Sequence, residues 1–273
     1  IEKTAWDVRK YPEKFAAYCI LCNFAAVFQN CINSMETKYI HRELSAVIEE
    51  AYRYFSVITI TGPRQSGKTT LIRNLFPHLP YYSLENLDVR SFAENDPIAF
   101  LNQHVKGMIL DEVHNAPNLL SYIQGMVDED ADRRFILSGS SQFAMLKKVS
   151  QSLAGRTAVF ELLPLSYSEV RETVTDTPLD HLLFNGFYPA IYSGRNVPKF
   201  LYPAYMKTYL DKDVRDLLQI KDMMQFHMFI RLCAGRVGSL FKASELANEI
   251  GISSHTVTAW LSVLQASYIV TLL

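Results

Sequence analysis

The chain has 273 residues, 49% of them hydrophobic, and its 27 basic and 28 acidic side chains give a net charge of −1. That composition supports a sizeable core and excludes a low-complexity chain, while the balanced charge excludes a global field for nucleic acid or an anionic membrane and leaves only a local basic patch. Four cysteines in so long a chain exclude a disulfide framework.

Residues 1–34 read as an N-terminal extension ahead of Met35, where an ordinary cytosolic protein would begin. Within it, residues 15–32 are apolar but broken by Asn23, Gln29 and Asn30, which is marginal for a bilayer span. A targeting role for this segment stays open as the second reading. Cys19 and Cys22 form a CxxC without a second pair, so buried thiols are expected rather than a zinc or redox site. Leu44, Val47, Ile48, Ala51, Tyr52 and Phe55 recur at helical spacing and predict an amphipathic helix over 40–55. Residues 57–61 are β-branched and predict a buried strand, followed by a helix over 68–76. A second strand is expected over 81–84. A helix over 88–103 breaks near Pro97, and a third strand over 108–110 ends in Asp111 and Glu112. Pro117 suits the first turn of a helix running to about 127, and further strands follow over 135–138 and 158–162. Strands alternating with helices predict a parallel sheet covered on both faces. Beyond Pro164 helical patterns dominate, and the residues from about 225 form a separate helical unit.

Gly62-Pro63-Arg64-Gln65-Ser66-Gly67-Lys68-Thr69, followed by Thr70, matches GxxxxGK[ST]. Such a loop wraps a phosphate with backbone N–H groups, and the helix opening at Lys68 aims its positive dipole end at the same anion. Lys68 would reach the β- and γ-phosphates of ATP, and the Thr69 hydroxyl would ligate Mg²⁺. Arg64 is a second candidate phosphate contact. Asp111, at the end of an apolar strand, would hold the Mg²⁺, and Glu112 would polarise the attacking water. Ser138 and Ser140, after the fourth strand, are candidates for a contact to the γ-phosphate or the lytic water. Arg156 is read two ways, as an arginine finger acting in cis or on a neighbouring subunit, or as a surface salt bridge. No guanine-reading NKxD occurs, so ATP is expected rather than GTP.

Residues 241–270 read as a helix-turn-helix with a winged-helix-like character. Gly251 makes the turn, Ser253 or Ser254 caps the second helix, and Val257, Trp260, Leu261 and Leu264 form its buried face. The terminal YIVTLL would begin a wing. The second helix holds no Lys or Arg, so packing or a protein partner is expected more than DNA, for which His255, Thr256, Thr258 and Lys242 would be the contacts. Asp211, Asp213 and Asp216 spread around a helix and are expected to be solvated rather than to bind metal.

ITGPRQSGKTTL, MILDEVHNAPNLL, RFILSGSSQF, SLAGRTAVFELLPLSYSE and TYLDKDVRDL, in this order, resemble the AAA-type ATPases of the AAA_14 family, which carry a C-terminal DUF4143 region. The resemblance runs from about Met35 to Leu273. It implies that Gly62 to Thr69 are the Walker A loop, Asp111 and Glu112 the Walker B pair, and the serines the sensor. It also implies that Arg156 belongs to the GR pair following that sensor. Residues 1–34 have no counterpart in the family pattern, and such proteins usually continue into a nuclease-like region. The expected architecture is therefore an α/β P-loop NTPase core over 35–164, a helical lid over 165–224 and a helix-turn-helix module over 225–273. A homo-oligomer, or a DNA or protein partner at the module, would accompany ATP, in a cytoplasmic protein with no membrane partner.

Overall fold

A computed structural model describes residues 39–139, 152–208, 220 and 222–272. Five strands form one sheet: β1 (Val57–Thr61), β2 (Tyr81–Ser83), β3 (Gly107–Asp111), β4 (Arg134–Gly139) and β5 (Thr157–Glu161). Their order is β2-β3-β4-β1-β5, and every pairing is parallel. The strand period of two sends alternate residues into two separate cores. Val57, Leu110, Phe135 and Leu137 join one with Phe100, Leu120 and Ile123. Ile58, Ile60, Ile109 and Ile136 join the other with Ile48, Leu71 and Ile72. Burial on both faces is why these strands are continuous apolar runs rather than alternating ones.

Helices cover both faces. On the second core lie α1 (Leu44–Tyr52) and α2 (Lys68–Leu75). The expected break at Pro97 separates α3 (Leu87–Asn95) from α4 (Pro97–Asn102), and the Asp96 side chain caps α4 by accepting from Ala99 N at 3.0 Å. After them α5 (Leu119–Glu129) opens two residues past Pro117. One detail of α1 differs from its periodicity: Val47 is 51% exposed. The stripe packed on the core is Leu44, Ile48, Ala51 and Tyr52, and Val47 falls outside that arc.

No strand follows β5 among the described residues. The chain continues through α6 (Tyr167–Val170), α7 (Leu179–Asn185), α8 (Pro189–Tyr192) and α9 (Pro198–Tyr205), then α10 (Met223–Ala234), α11 (Ala243–Ile250) and α12 (Ser254–Ala266). Gly251 turns at φ 79°, and the Ser253 hydroxyl accepts from Thr256 N at 3.0 Å to cap α12. Val257, Trp260, Leu261 and Leu264 are all buried, as expected. Trp260 meets Phe226 and Phe229 of α10 with ring centroids 5.2 and 5.6 Å apart. Among the described residues of YIVTLL, 268–272, no strand of the expected wing forms. The amides of Ile269 and Val270 bond back to the Leu264 carbonyl, and Tyr268 turns at φ 60°. Its hydroxyl then lies 3.5 Å from Thr61 Oγ1 at the end of β1. Residues 1–34, Ser140 and the Asp211, Asp213, Asp216 group lie outside the described residues.

Candidate functional site

The loop after β1 is held open by two glycines for different reasons. A Cβ at Gly62 would lie 2.2 Å from the Leu162 carbonyl oxygen, so that glycine serves the close approach of two backbones. Gly67 has φ 94° and ordinary space around it, so its left-handed turn into α2 is what demands glycine. Gln65, between them, is also left-handed at φ 63°, a non-glycine strain of the kind found at ligand-binding loops. Lys68 is only 5% exposed, and its Nζ donates to Gly62 O at 2.9 Å and to Pro63 O at 2.8 Å. Burial pushes this amine below its ordinary value; the carboxylates of Glu112 and Asp111 oppose that, and Arg64 adds to it. The Ser66 hydroxyl is buried without a hydrogen-bond partner among the described residues.

Because β4 lies between β1 and β3, three hydroxyls converge on Asp111. Thr69 Oγ1 and Tyr81 OH both donate to Asp111 Oδ2 at 2.7 Å, and Ser138 Oγ donates to Asp111 Oδ1. Burial, and then the bond to Asp111, push the Tyr81 phenol well above its ordinary value. The Arg73 guanidinium lies 4.9 Å from the centroid of the Tyr81 ring. An oxygen-only set around one carboxylate suits a hard cation such as Mg²⁺, which takes one or two carboxylates plus phosphate oxygens. Glu112 follows with φ 55°, which turns it out of the strand, and its Oε2 lies 3.1 Å from His114 Nδ1. The two are at ion-pair distance without the alignment of a hydrogen bond.

A cavity of about 680 Å³ opens over the loop. Arg64, Gln65, Gly67, Lys68, Thr69, Thr70 and Glu112 all line it, while Asp111 and Ser138 sit buried behind Thr69. Gly62, Pro63 and Ser66 form the buried frame of the loop. The opposite wall comes from Tyr39 and Ile40 ahead of α1 and from Pro189, Arg195 and Tyr205 of the helical region. Sequence reasoning did not single out this wall, nor Arg42 and Tyr81, whose partners are distant in the chain.

Arg156 stands elsewhere. It precedes β5 beside Val57, at the end of the sheet opposite the loop that follows Thr61. There it forms a two-pronged exposed pair with Asp128. In this structure Arg156 therefore sits in an exposed ion pair at the sheet end away from the loop, and none of its side-chain bonds reaches the loop.

A parallel sheet in this strand order, with a glycine loop between β1 and α2 and a carboxylate at the end of β3, is the fold of an AAA-type P-loop ATPase. Comparison with known proteins agrees. Residues 54–171 match the AAA_14 family, an AAA domain, and residues 176–273 match a domain of unknown function, DUF8612. The second match corrects the expected DUF4143 region: the helical tail has its own family pattern.

An uncharacterized protein of Mycobacterium tuberculosis is 28% identical over 236 residues, covering 84% of this chain and 52% of that one. Another, from Methanocaldococcus jannaschii, is 22% identical over 247 residues, covering 78% and 55%. The chain thus spans about half the length of the curated relatives it matches. Among solved structures, the Walker-type ATPase PABY2304 of Pyrococcus abyssi superposes with a TM-score of 0.58 at 14% identity, covering 84% of this chain and 90% of that one. No helix among the described residues is long and apolar enough to cross a membrane.

Proposed function

We propose that this chain binds ATP with Mg²⁺ and hydrolyses its terminal phosphoanhydride, and that the nucleotide state is read by the helical lid and the C-terminal module. The reading is carried by one observation: Lys68 and Thr69 at the start of α2 and Glu112 after β3 line one cavity, with Asp111 buried directly behind Thr69 and bonded to its hydroxyl. In this reading the Walker A amides of residues 62–69 bind the phosphates, and Lys68 exchanges its two carbonyl partners for phosphate oxygens. Thr69 and Asp111 would hold the magnesium, which neutralises charge on the phosphate oxygens. Glu112 accepts the proton of the attacking water. Ser138 keeps the Asp111 carboxylate oriented, and Ser140 remains the candidate for a γ-phosphate contact.

Coupling to the module is supported by Tyr268, which reaches from the end of α12 to the strand that opens into the loop. Arg156 acts in trans in this reading, at the loop of a neighbouring subunit in a homo-oligomer, within the cytoplasm. The deciding experiment is phosphate release from Mg·ATP by the parent and by Glu112→Gln. Equal rates would end the enzyme reading.

A nucleotide-switched DNA-binding regulator is the second reading, favoured by the α11–turn–α12 geometry. Against it, α12 holds no Lys or Arg, and the neighbouring cations Lys242 and Arg236 are paired with Glu245 and Glu249. Phosphate neutralisation, which supplies most affinity for duplex DNA, has little to draw on there. Tight, steeply salt-dependent binding of duplex DNA in the presence of ATP would move the balance to this reading.

A further inference from the structure

We infer that Arg42 is a positioning residue for the phosphate loop, fixing the Ser66–Gly67 peptide so that its N–H faces the nucleotide. The inference rests on the ATP reading above and names a residue outside the loop and the acid pair.

Arg42 lies just ahead of α1 and is 5% exposed. Its guanidinium makes four hydrogen bonds. Nη1 donates to Ser66 O at 2.8 Å, Nη2 to Leu163 O at 2.6 Å and Pro164 O at 3.3 Å, and Nε to Glu169 Oε1 at 3.0 Å. Three chain segments therefore meet on one side chain: the phosphate loop, the exit from β5, and α6. Glu169 is itself fixed. It accepts from the backbone N–H of Glu43 at 2.8 Å and of Ser166 at 2.9 Å, the latter being half of the box that caps α6. The ion pair is buried, with Arg42 and Glu169 side chains 7% and 5% exposed.

The consequence for the loop follows from peptide geometry. A trans peptide is planar, so its carbonyl and its N–H point in opposite directions. Holding the Ser66 oxygen on Arg42 therefore sets the direction of the Gly67 N–H. Gly67 lines the cavity as the N-cap of α2, where an N–H toward the phosphates is what the loop needs. Gly67, lacking a side chain and turned at φ 94°, has no means of its own to fix this plane. The four bonds require the planar fork of arginine, because an ammonium cannot reach Ser66 O, Leu163 O and Glu169 together.

The test compares two variants with the parent by calorimetric titration with ATP in the presence of a chelator, so that neither metal nor turnover enters. Arg42→Met removes every bond; Glu169→Gln removes the ion pair and leaves the Ser66 bond in place. The expected result for Arg42→Met is an affinity lower by about tenfold or more, the size of one hydrogen bond to a charged group. Amide exchange of the 62–69 segment also rises, while that of β3 is unchanged. Glu169→Gln loses melting temperature but keeps ATP affinity within about twofold. Equal losses of affinity in the two variants, or none in Arg42→Met, would overturn the inference and make Arg42 a purely structural residue. If Arg42→Met does not fold, Arg42→Leu takes its place with the same two outcomes, and amide exchange of residues 62–69 in Arg42→Lys gives the second reading: a rise is expected if lysine loses the Ser66 bond and none if it keeps it. A parent that binds neither ATP nor Mg·ATP would instead end the ATP reading itself.

Discussion

The Thr69 hydroxyl donates to Asp111 Oδ2 over 2.7 Å, joining the start of α2 to the end of β3 across 42 residues of sequence. Without a cation the two groups satisfy each other, so they stay aligned for one. Asp111→Asn and Thr69→Ala should each abolish the gain in ATP affinity that Mg²⁺ confers, while metal-free ATP still binds. Titrations with and without magnesium read this directly, and a variant retaining the full magnesium gain would count against the assignment.

Glu112→Gln should bind Mg·ATP as the parent does and lose turnover by about 10² or more, the usual yield of a positioned general base. The change is nearly isosteric and leaves the left-handed backbone at φ 55° undisturbed. Single-turnover hydrolysis, with binding measured in parallel, separates this outcome from a loss of fold.

Tyr81 gives a prediction in pH. Burial, and then its bond to Asp111, raise its phenol above 10.0 in the folded chain, so the stability held by the neutral phenol is fully present below pH 10.0 and is lost as pH climbs through the folded value. Tyr81→Phe should cost about 1.5 kcal/mol at neutral pH, the worth of a hydrogen bond to a carboxylate. The gap between parent and variant should then narrow above pH 10.0, because only the parent's unfolded state gains from ionising there. Denaturant titrations at pH 8 and above check the sign, and a gap that widens would contradict it.

Arg156→Ala should leave the melting temperature and ATP affinity of the monomer unchanged, since its pair with Asp128 is exposed. Turnover should fall only at protein concentrations where the chain self-associates. Specific activity measured across a dilution series, with mass measured alongside, would show it. Identical curves for parent and variant would leave Arg156 as a surface ion pair and nothing more.

The sheet was legible because its strands are buried on both faces, so runs such as Ile58–Ile60 and Met108–Leu110 stand out without any partner being known. The loop, the acid pair and the capped α12 were legible for a similar reason: each is specified by residues within about ten positions of one another. What escaped was long-range. Arg42 and Glu169 are 127 residues apart, and nothing near either announces the other. Tyr81 looked like one more strand aromatic until the parallel pairing of β2 with β3 set it beside Asp111. Residues 268–272 form no strand because the backbone after α12 spends the amides of Ile269 and Val270 on Leu264, a choice of local bonding that hydrophobic pattern does not encode.

The lysine bridging Gly62 O and Pro63 O acts as a plug made of the protein's own charge. In the proposed reading a bound phosphate would take this ammonium over from the two carbonyls, so part of the cost of binding is the loss of two bonds the chain makes to itself.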